Sequence, residues 1–187
     1  FKVFARVASG ALVQPGMEAE TANLGASRQR FIVACNRPEN DEHWASAEGE
    51  WVGKASMSRR HRLLLIDEAD WSFFNALTFG MGETPLAACI ATLEAMRAAA
   101  LTLAAHEGEW APPSVGLYFH VFPHNSVQSL HLHVLDLRAT GPTWHELAYK
   151  NTPYEAVLKV LRTELAAATL PPLPPAVGGG GAVLALA

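Results

Sequence analysis

Apolar residues along this chain recur at two spacings, and each spacing predicts its own kind of element. The β-branched and aromatic run in "QRFIVACN" predicts a strand over 30–35. "HRLLLID" predicts another over 61–66, apolar enough to lie inside a sheet. "SVGLYFHVF" predicts a strand over 115–122 and "SLHLHVLDL" a further one, and the turn "PHNSVQ" between them makes the pair an antiparallel hairpin. Helical spacing governs Leu86, Ile90, Leu93, Met96 and Ala100, with Thr84 as N-cap, Pro85 at the first helical position and Gly108 as the stop. A last helix opens at "NTPYE": Thr152 caps, Pro153 begins, Glu155 completes a capping box, and Val157, Val160, Leu161 and Leu165 form the apolar stripe. "ADWSFFNAL" predicts a short helix that takes Trp71, Phe74 and Leu77 to the core.

The remaining segments carry weaker patterns. "FKVFARVASGALV" reads as a short helix or an edge strand, 36–50 as a loop, the stretch around Trp51 as a short strand, and "ATGPTWHELAYKN" as an irregular connection with one helical turn. Hairpin connections around one long helix predict an α+β fold with a mostly antiparallel sheet. No glycine-rich strand-to-helix turn of the dinucleotide or P-loop type is present, and no internal repeat. The end, "LPPLPPAVGGGGAVLALA", has the composition of a linker or disordered tail, which sets a domain over 1–168 and a tail over 169–187.

Composition narrows the function classes. The chain has 187 residues, half of them hydrophobic, which suits one globular domain. Net charge is −4, and the densest basic spot is the short "RRHR" at 59–62. A broad phosphate-neutralising surface for nucleic acid is thereby excluded, whereas a single nucleotide needs few charges. Cys35 and Cys89 lie far apart in apolar segments and read as core thiols. No uninterrupted apolar run reaches the length of a membrane span, and no basic-then-apolar leader opens the chain, so the cytoplasm is the default location.

The chemistry concentrates in the hairpin. Residues two apart on a strand share a face, so Ser129, His131 and His133 point one way and Leu130, Leu132 and Val134 the other. A turn centred near Asn125 and Ser126 sets His120 opposite His131, on the same face. Alternate imidazoles then stand roughly 6–7 Å apart, close enough for both to reach one phosphate-sized group. One can attack while the other donates a hydrogen bond. Asn125, Ser126 and free backbone N–H groups of the turn can hold anionic oxygens. A zinc site of His120, His131 and His133 is the rival, and no carboxylate on that face offers an outer partner, though main-chain carbonyls can replace one. A lone histidine is more often structural; His43, His61 and His106 join no constellation, and His124, Trp144, His145 and Lys150 fit an ordinary packed connection as well as a cover over the site.

"FHVFPHNSVQSLHLHVLDL" resembles the signature of the histidine triad superfamily, in which three histidines alternate with hydrophobic residues. The aprataxin-like branch is most similar, with its "FH", a proline, a Ser-containing turn and then the triad. The match is tight over 119–135; "FARVASG", "HRLLLIDEADWSFFNAL" and the long helix from 84 are similar in outline. The resemblance implies a nucleotide-binding hydrolase or transferase. Its substrate would be a nucleoside monophosphate ester, anhydride or phosphoramidate, with a purine the family-weighted base. His131 would be the nucleophile and form a nucleotidyl-histidine, His133 would contact the phosphate or leaving group, Ser126 would hold a phosphate oxygen, and His120 would line the site. No cofactor, metal or membrane is implied, and many relatives form homodimers. The first triad position here is Ser129, not histidine. In the family the main-chain carbonyl at that position orients the nucleophile, and serine retains it. "DEADW" also stands where relatives often have a histidine. These departures keep open a nucleotide-binding protein with weak or no turnover.

Overall fold

The structure, a computed structural model, describes residues 6–7, 9–67, 75–82, 84–106, 110, 113–125, 127 and 129–169. Five strands form one antiparallel sheet: β1 (Phe31–Cys35), β2 (His61–Ile66), β3 (Val115–His120), β4 (His131–Asp136) and β5 (Asn151–Pro153), in the spatial order β1-β2-β4-β3-β5. Among the described residues, the α-helices with full bounds are α1 (Met17–Ala22), α2 (Pro38–Glu42), α3 (Leu86–His106), α4 (Pro142–Glu146) and α5 (Tyr154–Ala168). The fold is α+β.

Strand parity divides the sheet between two jobs. Phe31 and Val33 on β1, Leu64 and Ile66 on β2, Leu132 and Val134 on β4 and Phe119 on β3 face one way, into a single core with Cys89, Leu93, Met96, Ala100 and Leu103 of α3 and Leu158 and Leu161 of α5. The alanines of α3 at 99, 100 and 104 are fully buried, so small side chains bring that helix close to the sheet. By length and composition alone, α3 is long and apolar enough to cross a membrane. The sequence pattern hides this because Glu94 and Arg97 interrupt the run. The buried positions of α3 pack on the sheet.

Several predicted elements differ. Residues 36–50 contain α2, started by Pro38 with Glu39 and Asp41 in its first turn, and too short to show a period. No strand forms around Trp51; those residues are turns, and Ser58 alone bridges to Thr140. Thr152 does not cap α5. It lies in β5, where its backbone pairs with Phe119, and α5 starts after Pro153 with no side-chain cap. Leu77 and Val160 are exposed rather than in the core, and Tyr154 and Leu158 take the buried places. Within the predicted opening element, Arg6 and Val7 are helical, Val7 is buried, and residues 9–13 are turns and bends rather than a strand. Residues 1–5 and 8 lie outside the described residues, as do Trp71, Phe74, the predicted stop at Gly108 and the tail from 170. Cys35 and Cys89 are buried thiols.

Candidate functional site

β4 is buried along its whole length. Leu132 and Val134 take the core side, which leaves His131 and His133 on the opposite face, beside Leu65 and Leu63 of β2. Carried one pair further, the β3–β4 register sets His120 opposite His131, and the two rings meet edge-on with centroids 6.3 Å apart. His133 lies between its neighbours: its ring is 3.9 Å from that of His120 and 4.9 Å from that of His131. A fourth imidazole comes from the first residue of β2. His61 stacks on His133 at 5.2 Å, with its Nε2 2.9 Å from His133 Nδ1.

Hydrogen bonds fix the rings. His131 Nδ1 lies 2.7 Å from the Ser129 carbonyl, which can only accept, so Nδ1 carries the proton and Nε2 is the basic nitrogen. His120 Nε2 donates to Asn151 Oδ1 of β5 at 2.7 Å. Two buried atoms, His133 Nε2 and Asn151 Nδ2, have no partner among the described residues. Unpaired buried polar atoms are rare in folded proteins and mark a place for a ligand or water. His120, His131 and His133 also present nitrogens all within 4.8 Å of one another, so these three could hold a metal ion.

Burial is the largest influence on all four imidazoles and disfavours their charged forms. His61 is pushed down to about 3 by burial and then by His120, Arg62 and His131. His120 is pushed down to about 4 by burial, partly opposed by its bond to Asn151. Burial lowers His131, against the pull of the Ser129 carbonyl, and lowers His133 well below the usual value with help from the other three rings. The cluster is therefore neutral near pH 7. Positive charge beside the neutral rings comes from lysine: the half-buried Lys150, itself lowered by desolvation, and the exposed Lys54.

These groups line a cavity of about 180 Å³, with Leu63, Val127 and Leu147 as apolar wall. Two loops form its cover and are fastened together. Gly53 N–H donates to Thr143 Oγ1, Thr143 Oγ1–H to the Trp51 carbonyl, Arg59 N–H to the Ala139 carbonyl, and Gly141 N–H to the Met57 carbonyl. At Gly141 two segments approach so closely that a Cβ would collide with the Trp44 carbonyl oxygen. A larger groove of about 250 Å³ lies between the 3-10 turn Ala76–Thr78 and α5, but its wall is mainly apolar and holds no imidazole.

Of the residues predicted from sequence, the structure brings His120, His131 and His133 together, with the Ser129 carbonyl behind His131. Asn125 is buried in the hairpin turn, where its Nδ2 donates to the Val127 carbonyl and holds the turn. Ser126 lies outside the described residues. His124 meets Tyr149 edge-on at 5.4 Å, and Trp144 rests on Tyr118. His145 is exposed, whereas Lys150 from the same connection reaches the cavity. The sequence reading missed His61, Lys54 and Asn151. His61 stands 72 residues from His133 and joins it only because β2 lies next to β4. His61 shares the parity of Leu63 and Leu65, so a known strand order would have revealed it. Compared with family models and with curated proteins, the chain matches none.

Proposed function

We propose that this protein is a nucleotidyl hydrolase or transferase of the histidine triad kind, with His131 as nucleophile. The observation that carries the proposal is the fixed His131 ring: Nδ1–H held by the Ser129 carbonyl, Nε2 basic, in a cavity shared with His133 and flanked by Lys54 and Lys150. His131 Nε2 attacks the α-phosphorus of a nucleoside monophosphate ester, anhydride or phosphoramidate. A P–N bond forms, and the bond to the leaving group breaks with its electron pair going to that group. His133 Nε2–H can donate a hydrogen bond to the departing atom, which takes any proton it needs from solvent. Water then attacks phosphorus and releases a proton to solvent, the P–N bond breaks with its electron pair returning to His131 Nε2, and His131 is restored neutral. The lysines offset charge on the phosphoryl oxygens.

Cavity size supports this division of labour. Sites that enclose a whole small ligand run to about 300–1,000 Å³. At about 180 Å³, the cavity suits a phosphoryl group, with sugar and base at its mouth. Ser129 keeps the main-chain contact that the first triad position supplies, so the substitution leaves the nucleophile oriented.

The test is turnover of a chromogenic aryl ester of adenosine monophosphate and of adenosine phosphoramidate. His131→Ala should reduce both by at least about a thousandfold with the fold intact. The wild type should trap an acid-labile, phosphorus-labelled adduct. Equal turnover by the variant would refute the assignment. A second reading, a zinc enzyme, is favoured by the 4.8 Å convergence of three imidazoles. Metal analysis of the purified protein separates it: one tightly held zinc per chain supports the zinc enzyme.

A further inference from the structure

We infer that a chain of hydrogen bonds running from Asp41 through Ser56, Asn36 and His61 sets the tautomer of His133 and makes it a hydrogen-bond donor toward the cavity, with His61 as a positioning residue. This assignment rests on the phosphoryl-site proposal above for its meaning, but not for its test.

The chain begins at a carboxylate. Ser56 Oγ–H donates to Asp41 Oδ1, and Asp41 in turn lies 3.6 Å from Arg62. Ser56 is buried, with its hydroxyl proton committed, so the same oxygen accepts from the Asn36 amide nitrogen at 2.7 Å. That nitrogen also lies 3.1 Å from His61 Nδ1 and 3.4 Å from both Asp41 Oδ1 and the His61 carbonyl. Reversing the amide would set its oxygen against a carboxylate oxygen and a carbonyl oxygen, so only one orientation fits. The backbone N–H of Met57 points at the same His61 nitrogen, 3.4 Å away, and a main-chain amide can only donate.

His61 Nδ1 thus accepts, and a neutral imidazole that accepts at one nitrogen carries its proton on the other. His61 Nε2–H therefore donates to His133 Nδ1 across 2.9 Å. The same rule then puts the His133 proton on Nε2, the buried nitrogen without a partner. His131 is set the other way by Ser129. Two neighbouring imidazoles are held in opposite tautomers, one offering a lone pair and the other a proton, while both stay neutral. A metal ion needs a lone pair on each ligating nitrogen. The chain places a proton where zinc would need to bind His133.

Long-range proton–nitrogen correlation spectra of the isotopically labelled full chain at about pH 7.5 read each tautomer directly, without substrate. His133 should appear as the Nε2–H form and His131 as the Nδ1–H form. In His61→Leu, His133 should show averaged shifts with His131 unchanged, and kcat should fall at least tenfold with KM little altered. In His61→Gln, whose amide can donate to His133, the His133 signature and most of kcat should return. Wild-type His133 in the Nδ1–H form would overturn the chain. So would equal spectra and kcat in His61→Leu, or stoichiometric zinc on His133 Nε2. Tautomers as assigned in a protein that turns over no nucleotide ester support the chain and sink the enzyme proposal alone.

Discussion

Lys150 has no ion pair among the described residues, although it is half-buried and faces the imidazole cluster. A desolvated ammonium without a counter-ion is an expensive arrangement, and an incoming anion relieves it. Lys150→Gln should weaken binding of adenosine monophosphate about tenfold, near 1.4 kcal/mol, and Lys150→Arg should recover part of that loss. Titration calorimetry measures both. The neutral cluster has its own signature. Burial holds His131 below the ordinary imidazole value, so the proposed nucleophile stays deprotonated as pH falls through 6.5. Turnover should persist to pH values below that point and decline only under more acid conditions, as a pH–rate profile would record.

Among elements, the longest patterns were the most legible. α3 and the four longer strands announce themselves through period and run length, and the β3–β4 register follows from the turn between them. β5 was not legible: it has three residues, one of them proline, and exists because β3 offers an edge to pair with. The capping pattern at Thr152 and Glu155 is present in the chain, but pairing with Phe119 keeps Thr152 in the sheet. For the site, parity along β3 and β4 gathers three imidazoles, whereas His61 and Lys54 arrive through contacts that local spacing cannot encode. Gly141 is the element-scale weak point of the cover. A methyl group there would collide with the Trp44 backbone, which cannot yield as a side chain can. Gly141→Ala should cost about 1–3 kcal/mol in urea unfolding and loosen the connection that carries Lys150.

The whole molecule inherits the electrostatics of its four buried rings. In the unfolded chain each imidazole takes up a proton near pH 6.5, whereas the fold holds His61 down to about 3 and His120 to about 4, with His131 and His133 also lowered. Between those limits the unfolded state binds more protons, so unfolding free energy falls as pH falls. Their contribution is complete above about pH 6.5. Below it, each imidazole kept neutral in the fold costs up to about 1.4 kcal/mol per pH unit. Melting temperature should therefore drop steadily from pH 7 toward pH 4, and His61→Gln should flatten the slope. A pH-independent melting temperature across that window would contradict the buried neutral cluster.

β4 alternates its duties residue by residue, with Leu132 and Val134 in the interior and His131 and His133 between and beside them in the cavity. The proposed nucleophile and the core residues thus share one continuous strand. Inactivation and melting should then be one event with one midpoint. All six positions of β4 are buried, so variation in the proposed substrate preference falls to the covering loops.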